Sequence, residues 1–222
     1  MNKLVFCLSC LFLINIVGPS QAQETARVYL SGTGNDKQVE WKFYCTGGNN
    51  ARKWTTIPVP SNWEMEGFGQ YNYGFDKAEK VGKEEGLYKH TFRVSPNWKN
   101  KQINLVFEGV MTDAEVKING KLAGPIHQGA YYAFKYDVSK LLHYNKENTL
   151  EVKVAKHSAD SSVNAAERRG DFWLFGGIFR PVWLEILPTV HMERVSIDAQ
   201  ANGNFKARLR LNGKGTKITG QI

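Results

Sequence analysis

Cysteine is scarce in this 222-residue chain. It has three cysteines, and two of them, Cys7 and Cys10, fall within the first 22 residues. If that segment is removed, only Cys45 stays, and a single thiol cannot form an internal disulfide. We therefore expect the fold to be stabilised by its hydrophobic core rather than by cross-links, which suits a bacterial periplasmic or cell-surface protein.

Long apolar stretches are also rare, and the one present lies at the N-terminus. Lys3 precedes an apolar run at 4–17, which is followed by small residues ending at Ala22. The run is too short for a membrane-spanning helix, and the pattern is typical of a secretory signal peptide at 1–22. We therefore expect an exported protein, periplasmic or on the surface of a Gram-negative bacterium, without membrane insertion. A lipoprotein signal at Cys10 is disfavoured because the apolar stretch before it is very short.

Motifs that carry catalytic chemistry are missing. The chain contains no HExxH, no GxSxG and no GxGxxG, and its five histidines stand far apart without metal-ligand spacing. The acidic residues are scattered, so spacing alone selects no catalytic carboxylate pair. We therefore assign no catalytic residue and expect no required cofactor.

Positive charge exceeds negative charge. There are 29 basic and 21 acidic residues, a net charge of +8, and no acidic residue follows Asp198. The last stretch carries five of the basic residues: Lys206, Arg208, Arg210, Lys214 and Lys217. A basic tail can bind nucleic acid. However, apolar residues alternate with the basic ones over 205–211, which predicts a half-buried strand with a solvated basic face. We expect no nucleic-acid partner.

Hydrophobic residues recur with a period of two along most of the chain. The alternating segments are 39–43, 88–94, 103–107, 115–118, 150–154 and 182–186. This pattern predicts an all-β antiparallel sandwich. Asn119-Gly120 predicts a hairpin turn because both residues tolerate positive φ. Pro58 and Pro60 predict an extended, loop-like stretch at 55–61, and 137–142 predicts one helical turn.

A domain boundary is predicted at Pro188. The segment 190–222 offers about three more strands by the same alternation, but a complete immunoglobulin-type sandwich takes about 100 residues. We therefore expect one β-sandwich at 25–188 and the first strands of an incomplete immunoglobulin-like sandwich at 189–222. The apolar face of those strands would lack a partner sheet.

Two segments combine aromatic and polar residues without clear periodicity. The first, 60–76, reads PSNWEMEGFGQYNYGFD and is rich in Gly, Asn, Tyr and Trp. Such loops suit carbohydrate, since aromatic rings stack on sugar C–H faces while polar groups bind hydroxyls. A packed crossing loop explains the composition equally well.

The second segment, 167–186, reads ERRGDFWLFGGIFRPVWLEI. It contains the adhesion tripeptide Arg169-Gly170-Asp171, but bulky aromatic residues follow at once and such short motifs are often accidental. An ion pair between Asp171 and Arg180 is expected if the loop folds back. A structural hairpin with a buried Trp is the alternative.

Six motifs in order resemble a known family. They are VPSNWEMEGFGQYNYGFD (59–76), GLYKHTFRV (86–94), VFEGVMTDAEVKINGKLAG (106–124), YYAFKYDVSKLL (131–142), NTLEVKV (148–154) and RRGDFWLFGGIFRPVWLEILP (168–188). Over about 25–188 the chain resembles the N-terminal sugar-binding domain of family 2 glycoside hydrolases, which include β-galactosidases, β-glucuronidases and β-mannosidases.

The resemblance implies a fold and a function. The domain would be a jelly-roll, galactose-binding-like β-sandwich that packs on a catalytic TIM barrel beyond an immunoglobulin-like domain. The barrel would carry both catalytic glutamates, which retaining hydrolysis places about 5–5.5 Å apart. The resemblance therefore implies a truncated, non-catalytic sugar-binding domain of an exported glycosidase that acts on glycosides derived from poly- or oligosaccharides. A free-standing carbohydrate-binding module is the alternative.

The resemblance also implies site residues. Asp171 matches the Asp of the D-x-W-x-x-x-G-I-x-R motif, which in β-galactosidases contacts sugar hydroxyls and a sodium ion. Galactoside specificity does not follow, because Asn72 is out of step with the Asn of those enzymes. The implied sugar contacts are Asp171, Trp173, Asn72, Tyr73 and Asp76, with Na⁺ possible at Asp171 in the full-length enzyme. The implied structural motif residues are Asn62, Trp63, Gly177 and Arg180.

Overall fold

The computed structural model describes residues 24–77, 80 and 82–213, so the predicted signal peptide lies outside the described residues. The strands are β1 (Ala26–Tyr29), β2 (Val39–Cys45), β3 (Trp54–Val59), β4 (Asn72–Tyr73), β5 (Glu85–Arg93), β6 (Gln102–Phe107), β7 (Asp113–Ile118), β8 (Lys121–Leu122), β9 (Phe134–Asp137), β10 (Glu147–Ala155), β11 (Trp173–Leu174), β12 (Val182–Leu187), β13 (His191–Ala199) and β14 (Phe205–Asn212). The described residues also contain one α-helix, α1 (Ser161–Glu167), and a short 3-10 helix at Pro96–Trp98. Within these described ranges, no helix has the length and hydropathy needed to span a membrane.

Two antiparallel sheets form the main body. One has four strands in the order β1-β12-β6-β9, and the other has six in the order β3-β2-β5-β10-β7-β8. Most strands pair with neighbours that are distant in sequence, so the connections cross between the sheets. The prediction of an all-β sandwich of the jelly-roll type is confirmed.

The core lies between the two sheets. Alternate residues of a strand face the same side, and the inward residues are the apolar ones: Phe43 on β2, Leu150 on β10, Leu105 on β6 and Leu184 on β12 are all fully buried. Complete burial of a side chain of this size contributes about 1.5–3 kcal/mol. The hydrophobic contacts hold the sheets together without a disulfide, and Cys45 is a buried free thiol.

The predicted hairpin turn between β7 and β8 is confirmed. Asn119 and Gly120 have φ angles of 53° and 77°, which are the positive values that this two-residue turn requires.

Three local features differ from the sequence-based predictions. The extended stretch containing Pro58 is a true strand, β3, and it tolerates proline because it lies at the edge of the six-stranded sheet. The segment 137–142 forms a hydrogen-bonded turn rather than a helix, with the N–H of Leu141 donating to the carbonyl of Val138 at 2.8 Å. The helix α1 was not predicted; Asp160 caps its N-terminus by accepting from the N–H of Ser162 at 2.8 Å.

A separate hairpin follows the sandwich. Its strands β13 and β14 pair antiparallel, and the third predicted strand falls at 214–222, outside the described residues. The prediction of a half-buried β14 is wrong, because Phe205 and Leu209 are both exposed. No second sheet covers the hairpin within 24–213. Its assignment to an immunoglobulin-like domain stays a prediction.

Three histidines are expected to make stability depend on pH. His90 stacks on Trp41, with 4.7 Å between ring centroids, and His127 stacks on Phe134 at 3.8 Å. Burial lowers the pKa of both, and burial followed by the charge of Arg168 lowers that of His157. Below their usual pKa of about 6.5, the unfolded chain therefore binds protons that the folded chain does not.

The free energy of unfolding should accordingly fall as the pH drops from about 7.5 to about 5.5. Urea unfolding at several pH values measures this slope. His127→Gln should make it shallower, whereas the same change at the exposed His143 should not. An unchanged slope in His127→Gln would contradict the expectation.

Candidate functional site

The two aromatic segments meet in a short antiparallel ribbon. In this ribbon β4 pairs with β11, so that Tyr73 lies opposite Trp173. The N–H of Gly74 extends the pairing by donating to the carbonyl of Phe172 at 2.9 Å. The ribbon therefore joins the loop between β3 and β5 to the loop between β10 and β12.

Five aromatic side chains form one surface around the ribbon, which we call the aromatic patch: Tyr71, Tyr73, Phe75, Trp173 and Phe175. Their rings meet edge to face, with 5.3 Å between the centroids of Tyr73 and Trp173 and 6.1 Å between those of Tyr71 and Trp173. Trp173 is 57% exposed and Phe75 is 61% exposed. A contiguous exposed aromatic surface of this kind is typical of a binding site.

Asp171 lies at the edge of the aromatic patch, two residues before Trp173. Its side chain is exposed. The backbone around it is held by a tight turn, in which the N–H of Phe172 donates to the carbonyl of Gly170 at 2.9 Å. Gly74 packs so closely on Gly170 that a Cβ at position 74 would collide with the Gly170 backbone. The loop that contains the adhesion tripeptide is thus packed on the first loop, and Asp171 keeps an exposed side chain two residues before Trp173.

Asn72 is not on this surface. Its side chain is 1% exposed, and its Oδ1 accepts from the N–H of Gly82 at 3.1 Å and from Nζ of Lys156 at 3.0 Å. Its Nδ2 donates to the carbonyl of Lys80 at 2.6 Å. The interpretation of Asn72 as a sugar contact is therefore corrected, because its side chain is buried and both Oδ1 and Nδ2 are hydrogen-bonded inside the protein.

Tyr73 and Asp76 are neither as buried as Asn72 nor as exposed as Trp173. Both are partly exposed. One carboxylate oxygen of Asp76 accepts from the N–H of Tyr73 at 2.8 Å, and the N–H of Asp76 donates back to the carbonyl of Tyr73 at 2.9 Å. Asp76 thus closes the turn that follows β4 and fixes the position of Tyr73 in the aromatic patch.

The predicted structural motif residues support the ribbon from below. Trp63 is completely buried, and its backbone N–H donates to the carbonyl of Gly176 at 3.1 Å. Gly177 has a φ of 122°, a conformation that favours glycine, and exchanges two backbone hydrogen bonds with Met111. Asn62 is half-buried, next to Trp63.

Arg180 does not pair with Asp171. Its Nη1 donates to the carbonyl of Tyr131 at 3.2 Å, and its guanidinium lies 5.0 Å from the ring centroid of Phe179. The predicted ion pair is therefore wrong: Arg180 contacts Tyr131 and Phe179 instead, and Asp171 keeps an exposed side chain.

A buried charge cluster lies under the ribbon. Lys156 is fully buried, with its Nζ 2.7 Å from Oε1 of Glu64 and 3.2 Å from Oε1 of Glu84. The contact with Glu64 is an ion pair whose angles do not fit a hydrogen bond. The contact with Glu84 is both an ion pair and a hydrogen bond. Burial raises the pKa of Glu64, and the neighbouring Lys156 opposes this shift.

The cluster connects both loops of the candidate site. Lys156 also donates to the carbonyl of Gln70 in the first loop. In the second loop the N–H of Gly176 donates to Oε2 of Glu64 at 2.9 Å. We did not predict this cluster from the sequence. The sequence does contain a signal for the burial of Lys156, because this residue continues the inward alternation of Leu150, Val152 and Val154.

The sodium ion implied for Asp171 stays a prediction. No three His, Cys, Asp or Glu side chains come together as possible metal ligands in the part of the chain that the structure describes.

Comparison with known proteins decides the family. The model of the glycosyl hydrolases family 2 sugar-binding domain matches residues 38–188. The chain belongs to this family. The match includes both sheets except β1, together with the ribbon and the buried charge cluster, so the candidate site lies entirely within the family 2 domain.

Similar curated proteins include longer β-galactosidases. The chain is 37% identical over 163 residues to a β-galactosidase of Thermoanaerobacter pseudethanolicus, a match that covers 71% of this chain and 21% of that protein. It is 29% identical over 167 residues to a β-galactosidase of Bacteroides ovatus, covering 71% and 18%. The chain thus spans about a fifth of the length of these relatives.

Solved structures show the same fold. A β-glucuronidase from an uncultured Clostridium species superposes with a TM-score of 0.62 at 22% identity, covering 90% of this chain and 36% of that one. A β-glucuronidase of Bacteroides uniformis superposes with a TM-score of 0.57 at 21% identity, covering 87% and 26%.

Proposed function

We propose that the chain is the sugar-binding domain of an exported family 2 glycosidase that removes sugars from the ends of glycosides. The catalytic glutamates would lie on a TIM barrel encoded outside these 222 residues. The family match and the greater length of the relatives support this proposal. The apolar run before Ala22 supports export.

The face formed by Asp171 and the aromatic patch is proposed to complete the sugar site of the barrel. The observation that carries this proposal is the ribbon of β4 and β11, because it joins the two aromatic loops, exposes Trp173 and lies two residues from the exposed Asp171. A carboxylate can accept hydrogen bonds from sugar hydroxyls, and aromatic rings pack on the C–H faces of a sugar ring.

The complete gene product provides the test. We expect it to hydrolyse at least one aryl β-glycoside, such as the β-galactoside or the β-glucuronide, with retention of configuration, which NMR of the released sugar measures. We also expect the exported protein to begin at Gln23 on N-terminal sequencing. A product without hydrolytic activity, but with glycan binding, would favour the free-standing binding module instead.

A further inference from the structure

The outer face of the six-stranded sheet carries a groove that is separate from the candidate site. Its volume is ≈ 280 Å³, and Trp54 at the sheet edge forms one wall. Trp54 is 49% exposed and is not one of the buried core residues. Its indole contacts Tyr44, with 5.6 Å between ring centroids, and Nζ of Lys89 lies 5.3 Å from its centroid.

The strand register arranges the outer side chains in two parallel rows. Starting from Trp54, the first row continues through Tyr44, Leu87 and Lys153 to Glu115. It crosses five strands, which at about 4.8 Å between strands makes the row roughly 19 Å long. The row is aromatic and apolar on β3, β2 and β5, and charged on β10 and β7.

The second row lies beside the first. From Lys42 it continues through Lys89 and Glu151 to Lys117. Lys and Glu therefore face each other across the groove between the two rows, so both hydrogen-bond donors and acceptors line it.

The charges of the groove are paired with one another. Lys89 lies 2.9 Å from Glu151, and Lys117 lies 2.8 Å from Glu115. Lys153 lies 3.3 Å from Glu85 beside the groove. Because each of these lysines already has a carboxylate partner, the groove has little attraction for an anionic polymer. The pairs also hold the polar groups in fixed positions, which reduces the entropic cost of binding a ligand.

We propose that this groove is a second carbohydrate-binding site, which holds a neutral polysaccharide chain across the sheet. A sugar ring packs its C–H face on Trp54, and the hydroxyls of the following sugars accept hydrogen bonds from Lys89 and Lys153 and donate to Glu115 and Glu151. The groove is open and crosses several strands, so it suits an internal segment of a chain rather than a chain end. It would anchor the protein on a polymer, independently of the site beside Asp171.

Affinity electrophoresis of the 222-residue chain tests the proposal. Native gels contain one of four neutral glycans (galactomannan, xyloglucan, arabinoxylan or hydroxyethyl-cellulose), or the anionic polygalacturonate. We expect at least one neutral glycan to retard the chain. Trp54→Ala should lose most of this retardation, and Glu151→Gln should lose part of it. Phe205→Ala, which removes an equally exposed ring on β14, should behave as wild type.

Three results would overturn the proposal: retardation by none of the neutral glycans, retardation by polygalacturonate alone, or equal retardation of wild type and Trp54→Ala. Loss of retardation in Trp173→Ala but not in Trp54→Ala would show that the glycan binds at the aromatic patch. This result would also reject the outer-face site. Thermal unfolding of each variant verifies that Trp54→Ala is folded.

Discussion

Replacing Lys156 with Met is expected to lower the free energy of unfolding by about 3–5 kcal/mol. The substitution removes the cation that lies 2.7 Å from Glu64 and 3.2 Å from Glu84, both of them buried. Two carboxylates would then lie close together in the interior without a counter-ion, and the hydrogen bond to Asn72 would also be lost. Urea unfolding of the purified chain measures the loss.

The pH dependence of this variant provides a further check. Burial already raises the pKa of Glu64 in the wild type, and removal of Lys156 should raise it further. A carboxyl group with a raised folded-state pKa binds protons more readily in the folded than in the unfolded chain. The deficit in stability should therefore shrink as the pH is lowered.

Lys153→Met is the matched control, because Lys153 lies three residues earlier on the outer side of the sheet. Its ion pair with Glu85 is 3.3 Å long and substantially exposed, so we expect a loss of about 0–1 kcal/mol. If Lys156→Met and Lys153→Met proved equally stable, the buried charge cluster would have no role in holding the two loops.

Replacing Trp63 with Ala is expected to cost about 3–5 kcal/mol. The indole is fully buried, lies 6.2 Å from the ring centroid of Phe43, and fills the space left by two glycines, Gly86 and Gly176. Its removal leaves a cavity directly under the ribbon. The chain should unfold at a lower urea concentration, and near-UV circular dichroism should show looser packing.

The control for Trp63→Ala is Trp173→Ala, since Trp173 is the same residue type but exposed on the aromatic patch. Substitutions at exposed positions usually change stability by about 0.5 kcal/mol or less, and the aromatic contacts of Trp173 add about 0.5–1.5 kcal/mol. A loss in Trp173→Ala as large as that in Trp63→Ala would contradict the assignment of Trp63, rather than Trp173, as the core of this region.

The sheets could be predicted from the sequence because a period of two is a direct consequence of strand geometry. The alternation at 150–154, for example, gives both the strand β10 and its buried face. The predicted alternation ended at Val154 and therefore left out Lys156. Lys156 takes the next inward position, but a lysine is normally read as exposed, and its burial depends on Glu64 and Glu84, which are distant in sequence.

The ribbon of β4 and β11 could not be predicted from periodicity. Each strand has only two residues, which is too short to show alternation, and their pairing depends on the close packing of Gly74 on Gly170. The resemblance to family 2 enzymes indicated that both segments belong to one site. It does not show which way each side chain points, and the implied sugar contact at Asn72 is wrong because this side chain lies inside the protein.

The central claim is that Asp171 contributes to the sugar site of a family 2 glycosidase. The most direct test is kcat/KM of the complete gene product for its best aryl β-glycoside, compared between wild type and Asp171→Asn. A hydrogen bond to a charged group contributes about 1.5–3 kcal/mol, so we predict a decrease of about tenfold to a hundredfold, with unchanged thermal stability. Asp36→Asn, at an exposed carboxylate outside the ribbon, should retain full activity. Equal kcat/KM for wild type and Asp171→Asn would contradict the claim.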